Sequence, residues 1–151
     1  MKKGRLLKFW RLNLEQRFIL LEAAWRLAVV LAALRLLSFR RIAPRLGRSI
    51  DPGGVKALSP PQLERARLAG WAVESLSRGL PWQVKCLAQA VSAKWMLQRR
   101  GLVSTLYLGV DHGQEKWLEA HAWLCCGAEF ITGERQHERF KIIASFTEDW
   151  L

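Results

Sequence analysis

Several features that define common protein classes are missing from this 151-residue sequence. It contains only three cysteines, and none of them stand in a Cys-x-x-Cys pair, which argues against a disulfide framework and against the usual structural zinc sites. No glycine-rich phosphate loop occurs, so we predict no nucleotide binding by the chain itself. Low-complexity sequence is scarce and half of the residues are hydrophobic, which favours a folded chain with a substantial core.

A long uncharged hydrophobic run is missing as well. The longest uncharged stretch in the predicted N-terminal helical region is Leu27 to Leu34, well short of the roughly 20 apolar residues that cross a bilayer. No apolar segment with a small-residue cleavage site is visible near residue 1, so we expect no secretory signal. Together with the low, odd number of cysteines, these absences predict a protein of the reducing cytoplasm.

Acidic residues are almost missing from the first third of the chain. Residues 1–50 contain twelve Lys and Arg against two Glu, so they supply +10 of the formal net charge of +11. Such asymmetry predicts contact with an acidic partner, a membrane surface or nucleic acid, unless the charge only solvates this part of the surface. Nucleic acid is the weakest of these partners, because no recognisable binding motif accompanies the charge.

Helical periodicity dominates the first two thirds of the chain. Residues 14–39 are strongly helical in composition, and a basic connector follows them and ends in the turn Asp51–Gly54. We therefore predict a basic helical N-terminal region over residues 1–54 and a core over residues 55–151.

Within the core, two helices precede the strands. Ser59 and Pro60 begin the first helix and Gly79 closes it, while the second runs from Pro81 to Gly101. After Gly101 the hydrophobic period changes from 3.6 to 2, which indicates strands. The predicted strands cover residues 103–110, 117–126, 129–132 and 139–147. Helices followed by an antiparallel meander predict an α+β fold.

Cys86 is the residue that most clearly suggests a chemical function. It lies near the start of the second core helix, where unpaired N–H groups and the helix dipole favour a thiolate over a thiol. The face of small residues on which it lies can pack closely against a sheet: Cys86, Ala90, Ala93 and Leu97. The alternative is a buried structural cysteine, since free cysteines are among the most buried residues.

His121, on the second predicted strand, is the candidate partner of Cys86. A cysteine at a helix start near a strand histidine is the papain-like arrangement, in which the thiolate attacks an acyl carbon and the imidazole carries the proton. This chemistry needs neither a cofactor nor a metal ion. Gln83 is a further candidate for binding the oxyanion. A zinc site of His121 and Cys125 with Cys126, His112 or His137 is a weaker alternative, because the adjacent Cys125 and Cys126 point to opposite faces of a strand.

A third group should orient the imidazole through its second nitrogen. If the strands join through a two-residue turn at Gly127–Ala128, an unbroken register places Glu134 opposite His121, and Glu134 is then the predicted orienting residue. A one-residue bulge would give this position to Thr132 or to a main-chain carbonyl near Gly133.

A series of motifs between Ser59 and Phe146 resembles a known family. The motifs are Trp82, Cys86–Ala90, Arg99–Gly101, Ser104–Val110, Ala120–Leu124, Ile131–Gly133 and Phe140–Phe146. In this order they resemble the lasso peptide B proteins, which are transglutaminase-like leader peptidases. The basic N-terminal third is similar to that of the stand-alone peptidases of split systems.

The resemblance implies a cysteine peptidase with Cys86 as nucleophile and His121 as base. Its substrate would be a ribosomally made lasso precursor, cut between leader and core. A separate leader-recognition protein and an ATP-using lasso cyclase would be its partners, and residues 1–54 are our candidate docking region. Part of the family has an Asp twelve residues after the His, and here that place is Gly133, with Glu134 beside it.

Two other functions stay open on the sequence alone. One is a non-catalytic module on the same fold, which binds a peptide or a membrane surface through the basic N-terminal region. The other is a transamidating acyltransferase, in which an amine instead of water resolves the acyl-enzyme.

Overall fold

The computed structural model describes residues 2–47, 57–80, 84–111, 119–135 and 137–148. Within these ranges the helices are α1 (Lys2–Arg11), α2 (Leu14–Leu36), α3 (Phe39–Ile42), α4 (Pro60–Gly79) and α5 (Cys86–Arg99). The strands are β1 (Thr105–Asp111), β2 (Glu119–Cys126), β3 (Glu129–Thr132) and β4 (Lys141–Thr147), and 3₁₀ turns occupy Ala43–Leu46 and His137–Arg139. The predicted α+β class, with helices followed by an antiparallel sheet, is confirmed.

The two long helices that pack on α5, α2 and α4, each begin with a pair of reciprocal side-chain capping hydrogen bonds. At α4, the Gln62 N–H donates to Ser59 Oγ, and the Ser59 N–H donates to Gln62 Oε1 at 3.0 Å. This is the predicted capping box. Asn13 and Gln16 form the same pair at the start of α2, at 2.8 and 3.2 Å. Local sequence therefore determines where both helices begin.

Helix α5 begins at Cys86, five residues later than Pro81, the predicted start. Lys85 precedes the helix with extended backbone angles (φ −65°, ψ 149°), so the helical hydrogen bonds cannot continue upstream of it. The predicted glycine stop is confirmed, because Gly101 has a φ of 69° at the other end. Cys86 is thus the first helical residue. Pro81, Trp82 and Gln83 lie outside the described residues.

Helix α2 packs on both α4 and α5. One face of α2 is at most 5% exposed and lies in the same hydrophobic core as α4, α5 and the sheet: Ile19, Ala23, Leu27 and Val30. Arg100, directly after α5, adds a bidentate ion pair to Glu22 of α2, with N···O distances of 3.0 and 2.6 Å. The predicted domain boundary at residue 54 falls outside the described residues. Helix α2 precedes that boundary in the sequence, and it supplies part of the hydrophobic core.

The strand order of the sheet is β3-β2-β1-β4, and all neighbours are antiparallel. The predicted meander is right for β1 to β3 and wrong for β4, which pairs with β1. Helix α4 packs closely on β3, because a Cβ at Gly70 would be 2.4 Å from the Ile131 carbonyl oxygen. The fourth strand pairs with β1 instead, at the opposite end of the sheet from β3.

A fully buried lysine fixes the chain after β4 to α5. Lys94 Nζ donates to the Ser104 carbonyl at 2.6 Å and lies 2.6 Å from Glu148 Oε1. Burial lowers the pKa of Lys94, while the Glu148 carboxylate acts in the opposite direction. Glu148 also accepts hydrogen bonds from the Gln98 side chain and the Ser104 N–H. Both oxygens of its carboxylate therefore have hydrogen-bond donors, as a buried ion pair requires.

We expect Gly70→Ala to destabilise the protein. The new Cβ would lie 2.4 Å from a main-chain oxygen and 2.9 Å from Ile131 Cγ2, so α4 or β3 must move. The unfolding free energy measured by urea denaturation should fall by about 1–3 kcal/mol. Gly79→Ala, at the end of the same helix, is the matched control, because its Cβ meets nothing within 4 Å. Unchanged stability of the Gly70 variant would contradict the close packing of α4 on β3.

Candidate active site

Cys86 lies at the N-terminus of α5 and contacts the main chain of β2. Its Sγ accepts a hydrogen bond from the Ala122 N–H, with an N···S distance of 3.4 Å. Because the Ala122 nitrogen is bonded to the carbonyl carbon of His121, standard backbone dimensions place Sγ within about 6 Å of the His121 Cα. The fold thus brings the Cys86 thiol to the main chain beside His121, although the two residues are 35 positions apart in the sequence.

The imidazole of His121 is held at one nitrogen and by two aromatic rings. Its Nε2 lies 2.8 Å from the Gly133 carbonyl oxygen. Ring centroids of Trp123 and Phe140 lie 5.7 and 5.0 Å from that of the imidazole. A carbonyl oxygen can only accept a hydrogen bond. The proton must therefore be on Nε2, which donates a hydrogen bond to the Gly133 oxygen. In the neutral ring Nδ1 is then the unprotonated nitrogen, and it can act as a base.

Strand β3 contains a bulge that changes its register against β2. Next to the turn, Cys126 lies opposite Glu129, as the unbroken register predicts. After Cys125 the register shifts by one residue, and Leu124 lies opposite Thr132. The predicted unbroken register is therefore wrong beyond the first two pairs, because β3 contributes one residue more than β2.

The bulge brings the main chain of Gly133, instead of the Glu134 side chain, to His121. Glu134 was the predicted orienting residue only in the unbroken register, and in the structure its side chain is exposed. The Gly133 carbonyl takes its place, in agreement with one of the two alternatives. The other alternative, Thr132, is buried, and its Oγ1 has no hydrogen-bond partner among the described residues.

Only glycine fits at position 133 in this backbone. Gly133 has a φ of 74°, and a Cβ there would lie 2.6 Å from the Ala122 carbonyl oxygen and 2.9 Å from Trp123 Cβ. An aspartate at this place, as in part of the family that the sequence resembles, would require a different path of the main chain. The departure of this sequence from that pattern therefore has a steric basis.

The other two cysteines differ from Cys86 in their environment. Burial raises the pKa of Cys125 to about 12 and that of Cys126 to about 11. Cys126 also donates its S–H to the Val103 carbonyl at 3.2 Å. Cys86 and Cys125 are both half-buried and Cys126 is buried, so the raised thiol pKa, and not access alone, separates Cys125 from Cys86. For the zinc alternative, no group of three metal-ligating side chains occurs in the part of the chain that the structure describes.

The start of α5 and the neighbouring strand β2 together indicate which class of protein this chain belongs to. It is an α+β fold in which a cysteine at the first residue of a helix contacts the strand that carries a histidine. The chain matches the family described as Transglutaminase-like superfamily over residues 30–145, which is more than half of its length. It therefore belongs to the transglutaminase-like superfamily. Neither the comparison with curated proteins nor the comparison with solved structures gives a match.

Cys86 should be the first thiol to react with iodoacetamide at pH 8. At that pH a thiol with a pKa of 11 is about 0.1% thiolate, and the thiolate is the reactive form. We therefore expect Cys125 and Cys126 to be alkylated at least about tenfold more slowly. Peptide mapping after timed labelling measures the three rates, with the urea-unfolded protein as the control for equal access. Faster labelling of Cys125 than of Cys86 would contradict this description of the site.

Proposed function

We propose that this protein is a cysteine peptidase that removes the leader from a ribosomally made lasso precursor peptide. The observation that carries the proposal is the position of Cys86 Sγ on the main chain next to His121, whose Nδ1 is left unprotonated. Membership of the transglutaminase-like superfamily supports an acyl-transfer reaction at such a cysteine. The resemblance to the lasso peptide B proteins supports the choice of substrate.

In the proposed reaction, the leader acyl group moves first to Cys86 and then to water. His121 Nδ1 takes the thiol proton, and Sγ attacks the carbonyl carbon at the end of the leader. The peptide C–N bond breaks as the imidazolium gives its proton to the departing amine of the core. A water molecule then loses a proton to the same nitrogen and hydrolyses the thioester, which releases the leader as a carboxylate and restores Cys86.

Two features of the main chain would support these steps. The Gly133 carbonyl can hold the ring in one orientation in both charge states, because Nε2 donates to it throughout. At the start of α5 the side chain of the N-cap residue Lys85 makes no capping hydrogen bond, so first-turn N–H groups can donate to the oxyanion. No cofactor or metal ion takes part in the proposed chemistry.

We further propose that the helical N-terminal region docks the leader-recognition protein. One face of α2 carries an outer stripe of large apolar side chains, each at least 59% exposed: Leu14, Phe18, Leu21 and Trp25. Exposed apolar stripes of this size mark interaction surfaces. Lys8 and Arg11, which precede α2 in the sequence, are exposed, so a partner with an apolar surface and an acidic rim fits best.

The cellular location and the other partner follow from the same proposal. The core peptide released here would pass to a separate lasso cyclase that uses ATP, so we place the reaction in the cytoplasm. All three cysteines are free thiols, which fits a reducing compartment. Among the helices of the described residues, none is long and apolar enough to cross a bilayer.

Cys86→Ala and His121→Gln should each reduce leader cleavage at least about 1,000-fold, because each removes one half of the acyl-transfer machinery. The assay is mass analysis of the precursor incubated with the protein and the leader-recognition partner. Cys125→Ala is the matched control, and it should keep near wild-type cleavage.

The products of the same assay separate the alternatives. Addition of one water across the cut bond supports the peptidase. A leader joined to an amine would indicate a transamidase. A precursor that wild type leaves uncut, and that wild type and Cys86→Ala bind equally well, would indicate a non-catalytic binding module.

The outer stripe is best tested by substitution, because α2 contributes Ile19 and Leu27 to the core and deletion of residues 1–50 would expose that core. We expect Phe18→Gln with Trp25→Gln to lower partner-dependent kcat/KM at least about tenfold without a change in thermal stability. Ile143→Gln, on β4 and also exposed, is the matched control. Equal cleavage by both variants would rule out the stripe as the docking site.

A further inference from the structure

Phe140, the residue directly before β4, packs its ring on the imidazole of His121. The two ring centroids are 5.0 Å apart, and the ring planes meet at 33°. The other ring on the imidazole, that of Trp123, comes from β2 itself, two residues after His121. Phe140 comes from a different part of the chain, so its position on the imidazole depends on how the start of β4 is held.

A glycine on β1 provides the space for this contact. Gly109 lies directly opposite His121 in the antiparallel pair of β1 and β2. A Cβ at Gly109 would lie 2.8 Å from Phe140 Cβ and 2.9 Å from Trp123 Cζ3. The two rings therefore occupy the space beside the imidazole that a side chain on the facing residue would need.

Arg139 ties the residue before β4 to the ends of two other strands. Its Nη2 lies 2.9 Å from Asp111 Oδ2 and 3.3 Å from Glu119 Oε2. Asp111 and Glu119 are cross-strand partners, so the guanidinium contacts both β1 and β2. Its Cζ also lies over the Phe140 ring, 5.6 Å from the centroid. The Phe140 ring thus contacts both the imidazole and a guanidinium that two carboxylates hold.

We propose that Phe140 is a positioning residue for His121, and that Arg139 holds the Phe140 ring on the imidazole. This inference rests on the proposed peptidase function. The hydrogen bond from Nε2 to the Gly133 carbonyl fixes one atom of the imidazole but not the plane of its ring. A flat ring packed on the imidazole restrains that plane and keeps water from the area that it covers. Nδ1 then keeps its direction through both proton transfers.

Two substitutions at position 140 separate a flat ring from apolar volume. Phe140→Leu keeps an apolar side chain without a planar face, and we expect kcat for leader cleavage to fall at least about tenfold with KM within about twofold. Phe140→Tyr keeps the ring and should retain kcat within about threefold.

Phe146→Leu is the matched control, because it makes the same change on β4 at a ring that packs on Phe39, with the centroids 5.8 Å apart. Phe146 packs against the hydrophobic core, so this variant should lower the unfolding free energy while kcat stays near wild type.

Arg139→Gln tests the anchor. It removes both ion pairs and the guanidinium over the ring, so we expect kcat to fall at least about threefold in the same assay. Arg135→Gln, at an exposed arginine four residues earlier, is the matched control and should cleave as wild type does. Wild-type kcat in Arg139→Gln would overturn the role of Arg139.

A second readout does not depend on activity. The imidazole N–H of His121, observed by ¹⁵N-edited NMR in the resting protein and assigned by its loss in His121→Gln, should exchange with water at least about tenfold faster in Phe140→Leu than in wild type or Phe140→Tyr. Unchanged exchange and kcat in Phe140→Leu would overturn the proposal, as would equal losses in Phe140→Tyr and Phe140→Leu. If wild type cleaves no precursor, the proposed function fails, while the NMR comparison still decides whether Phe140 positions His121.

Discussion

The hydrogen bond from the Ala122 N–H to Cys86 Sγ requires the first turn of α5 to lie directly on strand β2. Much of the fold serves to keep it there. Ala90 and Ala93 are fully buried, and their small side chains allow the helix to approach the sheet closely. Helices α2 and α4 cover α5 from the other side, and the buried pair of Lys94 and Glu148 fixes its far end. The catalytic proposal therefore depends on ordinary helix-on-sheet packing.

The second constraint is the bulge in β3, which decides what the imidazole meets. Without the extra residue, the side chain of Glu134 would face His121 across the hairpin. With it, the main chain of Gly133 turns toward the ring and provides a carbonyl in place of a carboxylate. A carbonyl orients an imidazole and selects its tautomer as a carboxylate does, but without a formal charge.

The parts of this structure that local sequence controls could be predicted. The capping box at Ser59, the stop at Gly101 and the two-residue turn before Glu129 all depend on residues within one turn of each other. The bulge could not be predicted, because alternating hydrophobicity determines which face of a strand is buried but not where one residue is inserted. The pairing of β4 with β1 was missed for another reason, since alternating hydrophobicity does not specify which strand is the neighbour.

The candidate site also combines residues that could be predicted from the sequence with contacts that could not. Cys86 and His121 were recognisable from residue type and from the elements that carry them. The Gly133 carbonyl was only one of two alternatives for the orienting group, because a main-chain acceptor leaves no mark on the sequence. A hydrogen bond to a main-chain group does not depend on the side chain of the residue that provides the group. Position 133 is an exception only because its backbone conformation requires glycine.

The most direct test of the account is to look for the covalent intermediate. The protein is mixed with precursor and leader-recognition partner, quenched in acid within a turnover, and digested for mass analysis of every cysteine. We predict a thioester that joins Cys86 to the carboxyl end of the leader. The His121→Gln variant should form strongly reduced amounts of this thioester. Efficient cleavage with the adduct on another residue, or without any Cys86 adduct in a quench that preserves thioesters, would contradict the account.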